Sequence, residues 1–131
     1  PLQNFTGHND EINAIKWDPK GKLLASCSDD RSIKIWQLNS AKCIMDLREH
    51  TKEIYSVKWS PLVNQQALLA SASFDATVKL WDVETGSSIS TFRKYSDPIY
   101  TVAFSPSGLF LASGSFAGHL CIWRVSDGTL I

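Results

Sequence analysis

The chain has 131 residues, and its 13 Lys and Arg balance its 13 Asp and Glu, so the formal net charge is zero. Apolar residues make up 44% and charged residues 20%, a globular composition that excludes a disordered chain, a coiled coil and a collagen-like repeat. Zero net charge argues against a dedicated nucleic-acid binder, and no apolar run approaches the ~18 residues of a membrane span. The three cysteines form no CxxC pair, so we expect no disulfide framework, metal site or cofactor.

The sequence repeats itself three times. Two series of aromatic residues recur at intervals of 42 to 45 residues: Trp17, Trp59 and Phe104, and Trp36, Trp81 and Trp123. The surrounding words also agree, as Leu24–Asp30 does with Leu69–Asp75 and Leu111–Ala117. Length alone would suggest one ordinary domain, but self-similarity at this period indicates a repeat architecture instead.

Each repeat is predicted to form four short strands. In the first repeat, Ile12–Trp17 alternates in character, Leu23–Ser28 is small and apolar, and Ile33–Leu38 carries a Trp. The fourth strand is predicted over Cys43–Leu47, with Ile89–Phe92 as its counterpart in the second repeat. No helical period competes with this pattern. Short strands whose four-strand unit itself repeats predict an all-β propeller.

Two dipeptides connect the repeat to a known family. Gly7-His8 stands near the start of one repeat and Trp81-Asp82 near the end of another, which is the signature of WD40 repeats of about 40–45 residues. The chain therefore resembles the WD40 β-propeller family over essentially its whole length. More narrowly, segments 7–30, 52–61 and 68–86 are similar to the transducin β-like proteins, which are nuclear corepressor subunits.

This resemblance implies three four-stranded antiparallel blades that form an arc of a larger ring of seven or eight blades. We expect residues 1–5 to end the outer strand of a preceding blade, and residues 6–47 and 48–92 to form two blades. Residues 93–131 are expected to form a blade that lacks most of its outer strand. Propellers typically need about 4–8 blades to close, so the remaining blades are expected elsewhere in a longer chain. The alternative is closure by a second copy.

The resemblance also implies one hydrogen-bonded set of four polar residues, a tetrad, in each blade. The matching residues are His8, Ser26, Asp30 and Trp36 in the first repeat and His50, Ser71, Asp75 and Trp81 in the second. A buried Asp needs donors, a hydroxyl both donates and accepts, and an indole N–H only donates, so such a set satisfies itself. A catalytic Ser/His/Asp triad is disfavoured because the set occurs twice without a G-x-S-x-G elbow. We therefore predict that the chain is not an enzyme.

The third repeat departs from this pattern. Tyr95 stands where His is expected, and Ala117 stands where Asp is expected. Losing only one of them would leave a buried group unpaired, at a cost of about 1–3 kcal/mol, whereas losing both avoids that penalty. The turn Phe116–His119 is therefore predicted to be looser than its two counterparts, and His119 is interpreted as a turn residue out of register with the tetrad.

One rim of the predicted blades collects side chains that suit partner binding. The start of the first strand and the end of the second lie on the same side of a meander, and in WD40 proteins these positions line the top face. The predicted rim residues are Glu11, Asn13, Asp29, Glu53, Tyr55, Phe74, Tyr100 and Phe116, with Pro98 beside them. Aromatic residues anchor interfaces, and carboxylates favour a basic partner. The alternative is that Tyr55 and Phe74 pack together as covered core.

These features predict a non-catalytic protein-interaction scaffold. The transducin β-like resemblance implies transcriptional repression and chromatin regulation with histone deacetylase subunits as partners, in the nucleus or additionally in the cytoplasm. The rim suits a basic, histone-like tail, and neither direct nucleic-acid binding nor a membrane is expected. The alternatives are a ubiquitin-ligase substrate receptor or a G-protein β-like signalling scaffold. Some WD40 receptors dock through an Arg three residues after the Trp, but Asn39, Glu84 and Ser126 stand at those positions.

Overall fold

A computed structural model describes residues 2–131. Pro1, which falls within the predicted outer-strand segment 1–5, lies outside the described residues. The described strands are β1 Ile12–Trp17, β2 Leu23–Ser28, β3 Ile33–Gln37, β4 Met45–Leu47, β5 Ile54–Trp59, β6 Leu69–Ser73, β7 Val78–Asp82, β8 Ser87–Phe92, β9 Ile99–Phe104, β10 Phe110–Ser115 and β11 Leu120–Arg124. Over residues 2–131, no helix is long and apolar enough to cross a membrane.

The strands form three antiparallel meanders, so the predicted all-β fold of WD40-like blades is confirmed. Strands β1 to β4 make one four-stranded sheet and β5 to β8 a second, each in sequential order, while β9 to β11 make a three-stranded sheet. In the third sheet, Leu130 forms an isolated bridge to Trp123 in β11, at the place where a fourth strand would pair. We refer to the three sheets as blades 1, 2 and 3; as described, they do not form a closed ring.

In blade 2, the second strand, β6, is the most deeply buried because it is covered on both faces and paired on both edges. All five residues of β6 are buried, and they are mostly Ala and Ser. Small side chains let the neighbouring sheets approach closely, which explains why this strand lacks the alternation typical of a strand with one solvated face.

The apolar core lies between the blades. One cluster joins Ala25, Cys27 and Ile33 of blade 1 to Ile54 and Val57 of blade 2. A second cluster joins blade 2 to blade 3 in the same way: Ala70, Ala72, Val78, Leu80 and Phe92 pack with Val102, Leu111 and Trp123. Stability therefore depends on the stacking of blade on blade, as in other repeat proteins.

At the two ends of the arc, one face of blade 1 and one face of blade 3 have no neighbouring blade, and apolar positions that are buried between blades elsewhere are exposed there. Val78 in blade 2 is 1% exposed, whereas Leu120, its counterpart in blade 3, is 75% exposed. Likewise Val57 is buried in blade 2, and Ile15, its counterpart in blade 1, is exposed. Within the described residues, no further strand covers these two faces. Residues 2–5 form no strand here, but the Phe5 ring stacks on Trp36 at 4.9 Å.

Candidate functional site

The first strand of each blade carries a β-bulge at the rim. The pairing register steps past Asn13 in β1, Tyr55 in β5 and Tyr100 in β9, so each of these residues lacks a partner opposite it. A bulge bends its strand and redirects the side chain of the extra residue. The predicted rim residues that lie in the first strand of each blade are thus the three bulge residues. The alternation of residues in the sequence did not predict these bulges.

The turn after the second strand lies next to the loop before the first strand in every blade. Three equivalent backbone hydrogen bonds join them: Asp29 N–H to Glu11 O at 2.9 Å, Phe74 N–H to Glu53 O at 2.9 Å, and Phe116 N–H to Pro98 O at 3.1 Å. The structure therefore brings the predicted rim residues together within each blade. The side chains of the turn and of the bulge then meet at one edge of the arc.

Four of these side chains form a continuous aromatic patch, consisting of Tyr55, Phe74, Tyr100 and Phe116. The Tyr55 ring is its hub, with centroid distances of 6.0 Å to Phe74, 5.7 Å to Tyr100 and 5.8 Å to Phe116. Tyr100 and Phe116 meet edge to face at 4.9 Å. Tyr55 does pack against Phe74, as the alternative interpretation expected, yet Phe74 remains 36% exposed. The patch spans blades 2 and 3 and is open to solvent.

The acidic part of the rim lies beside this patch. Asn13 Nδ2 donates to Asp29 Oδ1 at 2.8 Å and to the Ile54 carbonyl oxygen at 2.9 Å, which ties blade 1 to blade 2. Burial raises the pKa of Tyr55, and the nearby carboxylates of Glu53 and Asp29 raise it further. The Glu53 and Asp29 carboxylates therefore lie near the Tyr55 end of the aromatic patch.

A lysine that sequence reasoning did not include also reaches the rim. Lys52 Nζ lies 5.4 Å from the centre of the Phe74 ring, within the range of about 6 Å over which a ring face attracts a cation. The only sequence signal for this contact is that Lys52 precedes Glu53 in the loop before β5. The aromatic patch therefore already holds one ammonium group against one of its rings.

The predicted tetrad residues of blade 1 are hydrogen bonded in one chain. His8 Nδ1 lies 2.9 Å from Asp30 Oδ2, and His8 Nε2 lies 2.6 Å from Ser26 Oγ. The indole N–H of Trp36 donates to the same Ser26 oxygen at 2.8 Å. Burial alone would raise the pKa of Asp30, but hydrogen bonds from Ser32, from the backbone nearby and from His8 outweigh it and hold that pKa well below its usual range.

Blade 2 repeats this chain with the same atoms. His50 bridges Asp75 at 2.8 Å and Ser71 at 2.7 Å, and Trp81 Nε1 donates to Ser71 Oγ at 2.9 Å. The Ser71 side chain is buried and already engaged on both sides, so it has no free approach for a substrate carbonyl. The chemistry of this set is to fasten the loop before β5 and the turn after β6 to the third strand, which holds the rim in place.

Blade 3 uses a different connection between the same elements. Trp123 Nε1 still donates to Ser113 Oγ, at 3.1 Å. His119 Nδ1 lies 3.3 Å from Asp97 Oδ1, and its ring stacks on Tyr95 with centroids 3.7 Å apart. The imidazole therefore comes from the turn and the carboxylate from the loop, the reverse of blades 1 and 2.

His119 thus does more than occupy a turn. It stands two residues after Ala117, at the place that Thr77 occupies after Asp75 in blade 2. The side chain of His119 is 43% exposed, whereas that of His50 is fully covered. Between the loop and the turn of blade 3, the side chains therefore form one partly exposed imidazole–carboxylate contact and a ring stack, in place of a buried chain.

Comparisons with known proteins place the chain among repeat proteins of several kinds. It is 55% identical over 49 residues to the WD40 repeat-containing protein HOS15 of Arabidopsis thaliana, covering 37% of this chain and 8% of that protein. It is 42% identical over 57 residues to the ribosome biogenesis protein BOP1 homolog of Dictyostelium discoideum, covering 44% and 7%. It is 37% identical over 57 residues to the transcriptional corepressor LEUNIG_HOMOLOG of Arabidopsis thaliana, also covering 44% and 7%.

The chain spans less than a tenth of the length of these relatives. The family pattern described as "WD domain, G-beta repeat" matches residues 1–37, 41–82 and 86–124, which is most of the chain. Together these segments contain all eleven described strands, and the second and third segments each begin with the fourth strand of the preceding sheet, β4 and β8. The chain belongs to the WD40 repeat family.

Proposed function

We propose that this chain is a non-catalytic interaction scaffold that acts in transcriptional repression, with histone deacetylase and other corepressor subunits among its partners in the nucleus. The observation that carries the binding role is the aromatic patch: four aromatic side chains from two blades meet at one solvent-exposed rim beside carboxylates. Rigid, exposed aromatic groups are the residues that most often anchor protein interfaces. The similarity to a plant transcriptional corepressor supports the repressive role.

The partner segment is basic in this proposal. The carboxylates of Glu53 and Asp29 lie near the Tyr55 hydroxyl of the aromatic patch, and complementary charge speeds encounter and selects partners. A flexible tail rich in Lys and Arg, such as a histone tail, has the charge and the reach to lie along the rim. The tetrads of blades 1 and 2 support this role because they fix the loops that carry the rim residues.

Further blades complete the scaffold in this proposal. Ile15 and Leu120 are exposed at positions whose counterparts are buried between blades, so another blade on each face would bury the same apolar positions. We accordingly propose that residues 6–47, 48–92 and 93–131 are successive blades of a larger ring. In a longer chain, both side chains should become protected from surface labelling.

Calorimetry with a Lys- and Arg-rich histone-tail peptide tests the binding role. We expect Phe74→Ala to weaken binding about 30-fold, the effect of losing an anchor worth about 2 kcal/mol. Asp29→Lys should weaken it as well, and more strongly at low salt, because its effect is electrostatic. Ile89→Ala, an exposed position on the outer strand β8, is the matched control and should change nothing. Unchanged affinity in both rim variants would refute the assignment of the rim.

Tethering the full-length protein to a promoter tests the repressive role separately. Repression of a reporter gene that disappears with a histone deacetylase inhibitor is the expected result. A protein that binds the peptide through its rim but leaves the reporter unaffected would retain the scaffold role and exclude the corepressor role.

A further inference from the structure

One cation of this chain already lies against the aromatic patch. Lys52 Nζ lies 5.4 Å from the centre of the Phe74 ring. Lys52 is an exposed residue, and water hydrates an ammonium group strongly. Lys52 covers only one ring of the four. Phe116 and Tyr100 remain more than half exposed, so ring surface is left for a cation from outside.

The inclination of the rings decides how a planar cation can lie on them. The Phe74 and Phe116 centroids are 6.5 Å apart with their planes inclined by 60°. One planar group cannot be parallel to both rings, so it stacks on one ring face and presents its edge to the other. A trimethylammonium group can also lie against inclined rings, but it has no N–H group to direct to a carboxylate.

Charge beside the aromatic patch adds a second requirement. Glu53 lies next to Phe74, whose backbone N–H donates to the Glu53 carbonyl oxygen at 2.9 Å, and the Glu53 and Asp29 carboxylates help to raise the pKa of Tyr55. A guanidinium group can stack on an aromatic face and still direct N–H groups from its edge to a carboxylate, and it is more weakly hydrated than an ammonium group. A lysine ammonium group is a compact point charge without a planar face, so it cannot stack on a ring and donate to a carboxylate from its edge in the same way.

The aromatic patch is specific to one junction of the arc. At the equivalent place between blades 1 and 2, Asn13 and Asp29 stand where Tyr55 and Phe74 stand at the next junction, and they bond to each other instead. Phe74 has a blade on each side of it, so its exposure is not a consequence of lying at an open face. The junction of blades 2 and 3 is therefore the place where stacking and charge combine.

We propose that the aromatic patch anchors an arginine side chain of the partner, in preference to lysine or methylated lysine. The guanidinium group stacks on the exposed ring face of Phe74, meets Phe116 with its edge and directs N–H groups toward the Glu53 carboxylate. Lys52 is an internal competitor, because its ammonium group occupies one ring face and repels an incoming cation. This inference rests on the proposed function of the rim as the site for a basic segment.

The test uses four peptides with the same Gly- and Ser-rich sequence and two flanking Lys, differing only at a central Arg, Lys, trimethyl-Lys or citrulline. We expect the Arg peptide to bind about 10-fold more tightly than the others, from a stacked cation contact worth about 1–2 kcal/mol. Phe74→Leu should erase this preference because it keeps the apolar bulk and removes the ring. Ile89→Ala should preserve it.

The competitor role of Lys52 has its own variant. Lys52→Gln should tighten the Arg peptide severalfold, while Lys20→Gln, which removes an equal charge away from the rim, should not. Weaker binding by Lys52→Gln would overturn the competitor role.

The results separate this inference from the proposed function. Equal affinity for the Arg and Lys peptides, with binding still lost in Phe74→Ala, would overturn the arginine preference and leave the basic-segment site intact. Tightest binding of trimethyl-Lys would overturn it in favour of a cage. Binding of citrulline as tight as Arg would show that charge is not recognised. Failure of all four peptides and of the histone-tail peptide would refute both the inference and the proposed function.

Discussion

Removing one hydroxyl from the middle of a tetrad tests whether the buried chain stabilises its blade. In Ser71→Ala, His50 Nε2 and Trp81 Nε1 both lose their partner, at present 2.7 Å and 2.9 Å away. The same substitution in blade 3, Ser113→Ala, leaves only Trp123 Nε1 without its partner, now at 3.1 Å. The two variants remove the same atoms from the same strand position, so they are a matched pair.

The expected loss follows from the number of groups left unpaired. A buried polar group without its hydrogen bond costs about 1–3 kcal/mol. Ser71→Ala leaves two such groups and should lower the free energy of unfolding by about 2–6 kcal/mol, whereas Ser113→Ala should lower it by about 1–3 kcal/mol. The difference between the variants, about 1–3 kcal/mol, is the contribution that blade 3 lacks because Tyr95 replaces His.

Urea denaturation followed by tryptophan fluorescence measures this difference, with the exposed Ser96→Ala as control. The midpoint should fall furthest for Ser71→Ala, less for Ser113→Ala and not at all for Ser96→Ala, at an unchanged slope. Equal losses for the two buried serines would refute the reasoning, because the second unpaired group would then carry no cost. A larger loss for Ser113→Ala would show that blade 3 depends on its serine in some other way.

Three further outcomes are expected. The nearby positive charge of Lys16, together with burial, lowers the pKa of Lys58. Lys58→Met should therefore raise the free energy of unfolding by up to about 0.5 kcal/mol, and a gain that persists in 1 M salt would contradict repulsion as its cause. Burial would raise the pKa of Asp75, but hydrogen bonds from His50 and Thr77 outweigh it and keep that pKa well below its usual range, so the stabilisation is complete above the unfolded value of about 3.9 and is lost as pH falls below it. Urea midpoints between pH 6 and pH 2 should show a fall that is smaller in Asp75→Asn, and identical profiles would count against the linkage. Burial, reinforced by the Asp29 charge, raises the pKa of Cys27 to about 12. Iodoacetamide at pH 8 should therefore alkylate the partly exposed Cys43 long before Cys27, as mass spectrometry of labelled peptides would show. Equal alkylation rates would mean that the blade opens locally.

Some of the fold could be predicted because each blade is built from short-range patterns. The predicted strands Ile12–Trp17 and Leu23–Ser28 have the observed bounds, and the third ends at Gln37, one residue earlier than predicted. The turn of a hairpin sets the register of its two strands, so the repeated local sequence segments were sufficient to predict these strands. Residues that the repeat places at fixed offsets, such as His8 and Asp30, could be assigned for the same reason.

The connection in blade 3 could not be predicted in this way. His119 and Asp97 are 22 residues apart, and the counterparts of His119 in the other blades are Ser32 and Thr77, so no other blade has an imidazole at that position. Sequence comparison between repeats shows what is missing at Tyr95 and Ala117, but it does not show that a neighbouring pair takes over the contact. The prediction that the turn Phe116–His119 is looser remains to be tested by hydrogen exchange against the turns of blades 1 and 2.

The sequence by itself determined the order of strands in the blade and the polar chain that closes on a Trp, because strand pairing and this chain occur within one repeat. Only the tertiary structure decided the site. The aromatic patch joins Tyr55 and Phe74 of one blade to Tyr100 and Phe116 of the next, and its hub is redirected by a bulge. The Lys52 ammonium group meets the Phe74 ring across a loop and a turn. Contacts between repeats depend on how sheets stack and bend, which no periodicity within a strand encodes.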